Sequence, residues 1–222
     1  MTTDSGLIDS YKHKGLRRKL AKKVSEKGIN DQRIIDAIEK IPRHYFLDSA
    51  FHELAYKDQA MQIGENQTIS QPFTVAYQTQ LLEIEEGDKV LEIGLGSGYQ
   101  ACILEELGAK VYSIERIEKL YKKAKALLPK MGYNPKMFVG DGTVGLPEHA
   151  PFNKIIVTAA APEIPQNLID QLKIGGILVV PVGDRATQTM YKIKKISDTD
   201  FTKQPLDLFR FVPLIGKNGW KS

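Results

Sequence analysis

Three glycines at alternate positions, Gly94, Gly96 and Gly98, follow a short apolar run that contains one acid, Val90-Leu91-Glu92-Ile93. Glycine tolerates positive φ and lets a ligand approach the bare backbone. The segment beyond, from about Ser97, reads as a helix, whose first turn presents unpaired N–H groups and the positive end of a dipole. A buried strand that turns sharply into a helix is a nucleotide-type binding turn. The spacing narrows the ligand. The pattern G-x-G-x-x-G needs a small residue at 99, where Tyr99 stands, so a pyrophosphate-binding turn is disfavoured. No Gly-Lys-Ser/Thr closes the loop, which excludes a P-loop.

Three carboxylates are in phase with this turn. Glu92 lies in the first core strand, Glu115 ends the next apolar run and Asp141 follows a third. In an open α/β sheet, ligands sit beyond the carboxyl ends of the strands. An acid there accepts hydrogen bonds from a ribose diol, an adenine amine or a charged amino group. Each acid alone could equally be a helix cap or a surface group. Together they suit S-adenosylmethionine, which has a sulfonium, an α-amino group, a ribose and an adenine but no phosphate, better than a nicotinamide dinucleotide. The four histidines, His13, His44, His52 and His149, are scattered without metal-ligand spacing, so no metal is expected.

The elements that must hold these groups can be read in outline. A first amphipathic helix spans about Leu7 to Lys27 and stops at Gly28. Asn30 or Asp31 caps a second that ends before Pro42. Pro42 to Thr68 is irregular and long enough to suggest function. Pro72 opens a helix to Leu82, with Ser70 or Gln71 as cap. From Val90 onward, strands and helices alternate. Strands are expected at Val90–Ile93, Val111–Glu115, Lys136–Val139, Lys154–Thr158, Ile177–Val182, Met190–Ile196 (nearer an edge) and Phe209–Ile215. The central ones are apolar with almost no polar alternation, the mark of a parallel sheet covered on both faces. The fold class is therefore α/β, doubly wound, with about seven mostly parallel strands and helices on both faces. Residues 1–82 form an N-terminal helical extension and capping loop, and residues 83–222 form the cofactor-binding core.

Composition sets the setting. The chain has 222 residues, 42% hydrophobic and 26% charged, with a formal net charge of +4, as in an ordinary globular protein. No signal peptide or membrane span is visible. A single cysteine, Cys102, fits a reducing compartment and packing within a helix. The basic residues Lys12, Lys14, Arg17, Arg18, Lys19, Lys22 and Lys23 are better read as a solvated helix face than as nucleic-acid contacts, because Leu16, Leu20 and Val24 recur every four positions.

From about Ile41 to Ile215 the chain resembles the protein-L-isoaspartate O-methyltransferases, a family with the Rossmann-like methyltransferase fold. The resemblance is carried by Pro42-Arg43-His44-Tyr45-Phe46, Ala55-Tyr56, Ile63-Gly64, Gln67-Thr68-Ile69-Ser70-Gln71-Pro72, Val90–Gln100, Val111–Arg116, Gly140-Asp141-Gly142, Thr158-Ala159-Ala160-Ala161-Pro162 and Arg210-Phe211-Val212-Pro213-Leu214. The glycine turn alone indicates only a methyltransferase. The pairing of Thr-Ile-Ser-Gln-Pro with Thr-Ala-Ala-Ala-Pro is far more specific.

The resemblance implies that Ser70 is the active-site serine and that Gln67, Thr68, Ile69 and Ser70 close over the cofactor. Gly94, Gly96 and Gly98 would lie along its amino-acid end, with Glu92 and Thr158 in the same site. Glu115 would meet the ribose, and Asp141 with Gly142 the adenine. Arg43, His44, Val212, Pro213 and Leu214 would border the substrate cleft; from the residues alone, Arg43 and His44 read more readily as surface or capping groups than as groups attracting the substrate carboxylate. The implied substrate is an L-isoaspartyl protein or peptide, and the cofactor product is S-adenosylhomocysteine. A cytoplasmic monomer without nucleic-acid or membrane partners is expected. Gln62, Asn66 and Leu95 depart from residues common in the family, namely proline, glycine and threonine. Methyl transfer to a carboxylate needs no general base, since the acceptor is ionised at neutral pH. Ser70 then reads as a hydrogen-bond donor or a helix cap, not a nucleophile. A methyltransferase on another acceptor, or a non-catalytic module binding damaged protein, are the competing readings.

Overall fold

The computed structural model describes residues 8–221. In chain order the elements are α1 (Tyr11–Ser25), α2 (Gln32–Lys40), three 3₁₀ turns between Arg43 and Tyr56, β1 (Met61–Gly64), β2 (Gln67–Ile69), α3 (Pro72–Leu82), β3 (Lys89–Ile93), α4 (Tyr99–Glu106), β4 (Lys110–Glu115), α5 (Glu118–Leu127), β5 (Lys136–Val139), β6 (Phe152–Val157), α6 (Gln166–Asp170), β7 (Leu172–Gly183), β8 (Gln188–Lys195) and β9 (Phe201–Phe209). A seven-stranded sheet runs β5-β4-β3-β6-β7-β8-β9. Strands β3 to β7 are mutually parallel, while β8 and β9 are antiparallel.

Both faces of the sheet are covered, as the unbroken apolar strands require. Val90, Val111, Ile156 and Val179 point to the side packed by α1 to α4, whereas Leu91, Ile93, Ile155 and Val157 point to the side packed by α6. Neighbouring residues of one strand thus enter opposite cores. The chain moves outward from β3 through β4 to β5, then crosses back to place β6 on the other side of β3. That reversal opens a crevice at the carboxyl ends of β4, β3 and β6, where Glu115, Gly94 and Thr158 stand side by side. No helix among the described residues is long and apolar enough to cross a membrane.

Several boundaries differ from the sequence expectation. Helix α1 begins at Tyr11 because the Ser10 side chain accepts from the His13 N–H; Leu7 lies outside the described residues. The stretch expected to be irregular contains the β1–β2 hairpin, whose two-residue turn, Glu65-Asn66, has φ of 54° and 55°. Positive φ at both central residues matches the right-handed twist of paired strands. Strand β7 begins before the expected Ile177, and Gly175-Gly176 lies in an irregular stretch of it, where the register against β6 jumps from Phe152↔Leu172 to Lys154↔Ile177. The last strand is Phe201–Phe209, not Phe209–Ile215. The latter run is apolar because it crosses the carboxyl ends of the sheet, bridged at Pro213 to Ala160, while β9 is an exposed edge strand with no buried face.

Candidate active site

An inner pocket opens at the crevice. The glycine turn forms its floor. Gly94 has φ of 96°, and a Cβ there would come within 2.5 Å of Thr158 Oγ1, so no other residue fits. Thr158 Oγ1 lies 2.9 Å from the Ile93 carbonyl oxygen and 2.7 Å from that of Gly94, which ties the end of β6 to the turn. Glu115 ties it to β4: its carboxylate accepts from the Gly96 N–H and the Ile117 N–H, each at 2.8 Å. The roof comes from elsewhere in the chain, with Gln67, Thr68, Ile69 and Ser70 on one side and Val212, Pro213 and Leu214 on the other. Gly142 lies against Ile93, where a Cβ would come within 2.6 Å of the isoleucine methyl.

Three expected cofactor residues do not line the pocket. Gly98, φ 88°, is the N-cap of α4, and its missing Cβ makes room for Leu128. Glu92 is fully buried beneath the turn. Ser113 Oγ donates to one of its oxygens, and burial raises its carboxyl to about 8. Asp141 is engaged with Thr143 and Lys217. Residues not singled out from the sequence complete the walls, among them Gln100, Arg116, Ile117, Leu120 and Ile215. Gln100 and Arg116 sit inside the quoted motif runs, and the others are apolar residues that give no separate signal.

A second, outer groove adjoins the first. Thr68, Ser70, Thr158 and Val212 line both, so these four residues form the seam between them. The groove is walled by Phe73 from α3 and by Asp207 to Phe211. Ser70 does not cap α3. The helix receives its cap from a distant residue: Asp58 Oδ1 accepts from the Phe73 N–H at 2.9 Å, with Gln71 Nε2 and Lys27 Nζ also on this carboxylate. Asp58 has a fully buried side chain. Its burial opposes ionisation, yet Lys27, the Phe73 N–H and Gln71 outweigh it and hold the carboxyl below its ordinary range. Relieved of capping, Ser70 is presented at the seam.

The comparisons with known proteins fit this geometry. A family model described as protein-L-isoaspartate(D-aspartate) O-methyltransferase matches residues 15–219. A relative of that name from Cytophaga hutchinsonii is 52% identical over 214 residues, covering 96% of this chain and 97% of its own. The chain belongs to the protein-L-isoaspartate O-methyltransferase family. A relative from Dictyoglomus thermophilum is 49% identical over 95% of both chains. A solved protein-L-isoaspartate O-methyltransferase superposes with a TM-score of 0.81 at 32% identity, covering 91% of this chain and 66% of that one. A Plasmodium falciparum structure titled as a putative member in complex with S-adenosyl-L-homocysteine shares the fold, with a TM-score of 0.78 at 23% identity over 90% of this chain and 98% of that one.

Of the residues expected to border the substrate cleft of this methyltransferase, Val212 alone lines the outer groove; Pro213 and Leu214 line only the inner pocket, and Arg43 and His44 line neither. Arg43 and His44 are both fully buried. Arg43 lies over the Tyr99 ring, 4.9 Å from its centroid, and donates to the carbonyl oxygens of Ala55 and Ser70. His44 bonds to the Tyr56 hydroxyl and the Ile8 carbonyl oxygen. Burial, with His13 and His52 nearby, lowers its pKa to about 4, so the ring is neutral at pH 7. Arg43 supports the Ser70 loop from behind, whereas His44 packs on Tyr56 and on His13 of α1. The family departures are mild in place: Asn66 occupies the left-handed turn, a conformation asparagine tolerates, Gln62 is exposed on β1, and Leu95 packs into the core.

Proposed function

We propose that the inner pocket takes S-adenosylmethionine and the outer groove takes the isoaspartyl segment of a damaged protein, meeting at Ser70. The observation that carries this reading is the seam: the same four residues, Thr68, Ser70, Thr158 and Val212, line both spaces. The pocket chemistry suits the cofactor. Glu115, Thr158, Ser70 and Gln100 offer oxygen acceptors, and Gln100 Oε1 is buried without a partner. Gly94, Gly96 and Gly142 let a ligand approach bare backbone. Gln67, Thr68, Ile69, Ser70, Gly94, Gly96, Glu115, Gly142 and Thr158 are the residues that would hold it.

Bound there, the cofactor supplies an electrophilic methyl group on a sulfonium. The chain's task is placement. The acceptor carboxylate is already ionised at neutral pH, so no residue needs to remove a proton. Ser70 orients that carboxylate at the seam, and the apolar wall of Phe73, Phe211 and Val212 excludes water from it. Rate enhancement then comes from alignment and desolvation. The methyl ester formed on an isoaspartyl residue closes to a succinimide as the following backbone amide nitrogen displaces methanol, water reopens the ring in part to aspartate, and this makes the enzyme a protein-repair carboxyl methyltransferase.

Residues 1–82 are read as the cap that carries Ser70 over the core of residues 83–222. The same reading makes the protein a cytoplasmic monomer that engages neither nucleic acid nor membrane. The Ser70→Ala variant tests the assignment. Turnover is expected to fall by about tenfold or more, the scale of one lost charge-assisted hydrogen bond, and affinity for S-adenosylhomocysteine by clearly less, since the other residues of the inner pocket are unchanged. Equal turnover in wild type and variant would remove Ser70 from the mechanism.

A further inference from the structure

The Asp141 carboxylate accepts three hydrogen bonds from within the protein. Oδ1 accepts from the Thr143 N–H at 2.9 Å and from the Thr143 hydroxyl at 2.6 Å, and Oδ2 accepts from the Lys217 N–H at 2.7 Å. Thr143 extends the grip. Its hydroxyl oxygen accepts from the Asn218 N–H at 3.0 Å, and its carbonyl oxygen accepts from Asn218 Nδ2 at 3.2 Å. The fit is close: a Cβ on Gly216 would collide with the Asp141 carboxylate, and one on Gly219 with the Leu214 carbonyl oxygen. Burial alone would raise the Asp141 carboxyl, but the donors from Lys217 and Thr143 more than offset it and hold it below its ordinary range.

The gripped loop is continuous with the pocket wall. Val212 to Ile215 line the inner pocket. They are fastened at one end by the Ala160 N–H to the Val212 carbonyl oxygen at 2.7 Å and by the Leu214 N–H to the Ala160 carbonyl oxygen at 2.8 Å. At the other end the Trp220 N–H donates to the Leu214 carbonyl oxygen at 2.8 Å, and the indole N–H donates to the Ala160 carbonyl oxygen at 3.0 Å. Arg185 covers the indole ring, 5.3 Å from its centroid.

We propose that Asp141 and Thr143 are positioning residues that clasp the segment 212–220 shut, so that this strap forms and holds one wall of the inner pocket. Asp141 then acts on the cofactor through the strap. This rests on the reading of the inner pocket as the cofactor site.

Trp220, the only tryptophan of the chain, reports on the strap. Two variants open the clasp from its two sides. Asp141→Asn removes an acceptor. Lys217→Pro removes the donor and leaves the carboxylate untouched; position 217 follows Gly216 in the turn closed by the Gly219 N–H on the Gly216 carbonyl oxygen at 3.2 Å, a turn position that proline accepts. In the full-length protein without ligand, each variant is expected to raise acrylamide quenching of Trp220 about twofold. Each is expected to weaken S-adenosylhomocysteine binding about tenfold by calorimetry, with kcat at saturating cofactor within about twofold of wild type. In the double variant the losses should not multiply, because one clasp is already open. Thr143→Val, which deletes only the hydroxyl, serves if a backbone variant fails to fold. Wild-type quenching in Asp141→Asn, or losses that multiply in the double variant, would overturn the clasp and put Asp141 on the ligand itself. The expected quenching changes in a protein that binds no S-adenosylhomocysteine would overturn the cofactor reading instead.

Discussion

Arg43 Nη2 donates a 2.9 Å hydrogen bond to the carbonyl oxygen of Ser70, and Arg43 Nε donates one of 3.0 Å to that of Ala55. The guanidinium is fully buried, stacked on Tyr99, and burial lowers its pKa to about 10, which still leaves it charged at pH 7. One planar fork therefore fixes the serine that faces both ligand spaces.

Replacing that fork should damage position and stability together. Arg43→Met is expected to cost about 2–4 kcal/mol, because two buried carbonyl oxygens lose a donor in a dry site. For a chain of this size that is a fall in Tm of roughly 5–15 °C. At a temperature where the variant is folded, kcat should fall further than affinity for S-adenosylhomocysteine. Lysine cannot reproduce the two diverging bonds, so Arg43→Lys should recover little. Calorimetry and initial rates on the same preparations check this, and an unchanged kcat in a folded variant would contradict it.

Glu92 should give stability an inverted pH dependence. Its carboxyl titrates at about 8 in the fold because it is buried, and near 4.5 when the chain is unfolded. Between those values the folded state holds a proton that the unfolded state has lost, so rising pH favours unfolding. Stability attributable to Glu92 is highest below about pH 4.5 and declines until about pH 8. Glu92→Gln removes the titration. The Tm of wild type relative to Glu92→Gln should therefore decline from pH 5 to pH 8, and a constant difference would refute the assignment.

The β1–β2 turn offers a milder test. Glu65 and Asn66 both adopt φ near +55°, which glycine holds most easily, asparagine tolerates and a β-branched residue does not. Asn66→Gly should raise stability by about 0.5–1 kcal/mol, and Asn66→Val should lower it by about 1–2 kcal/mol. Denaturant midpoints would measure both. Since the hairpin leads directly to Ser70, the valine variant should also slow turnover.

What the sequence made legible follows from which signals are local. The glycine turn, the β3–α4 unit and the parallel strands depend on short-range spacing and burial on both faces, and they stand where expected. The hairpin was hidden because its strands are short and its turn lacks glycine. Strand β9 was misplaced because Thr202, Lys203, Gln204 and Asp207 give an exposed edge no apolar alternation, while Phe209 to Ile215 gained its apolar character from covering the pocket. The burial of Arg43, His44 and Asp58 leaves no sign in the sequence, because polar and charged residues are seldom buried. Their partners, Ser70, Tyr56 and Phe73, lie 12 to 27 residues away, beyond the reach of local pattern. Asp141 was placed at a strand end correctly, but the segment that occupies it comes from the far end of the chain.

In the proposed division of labour the outer groove selects an isoaspartyl carboxylate for methyl transfer from the inner pocket. Two peptides that differ only in aspartyl against isoaspartyl linkage, incubated with the protein and methyl-labelled S-adenosylmethionine, test it directly. Base-labile label is predicted on the isoaspartyl peptide and at background level on its twin. Equal labelling of the two peptides, or none on either in a protein that binds S-adenosylhomocysteine, would contradict it.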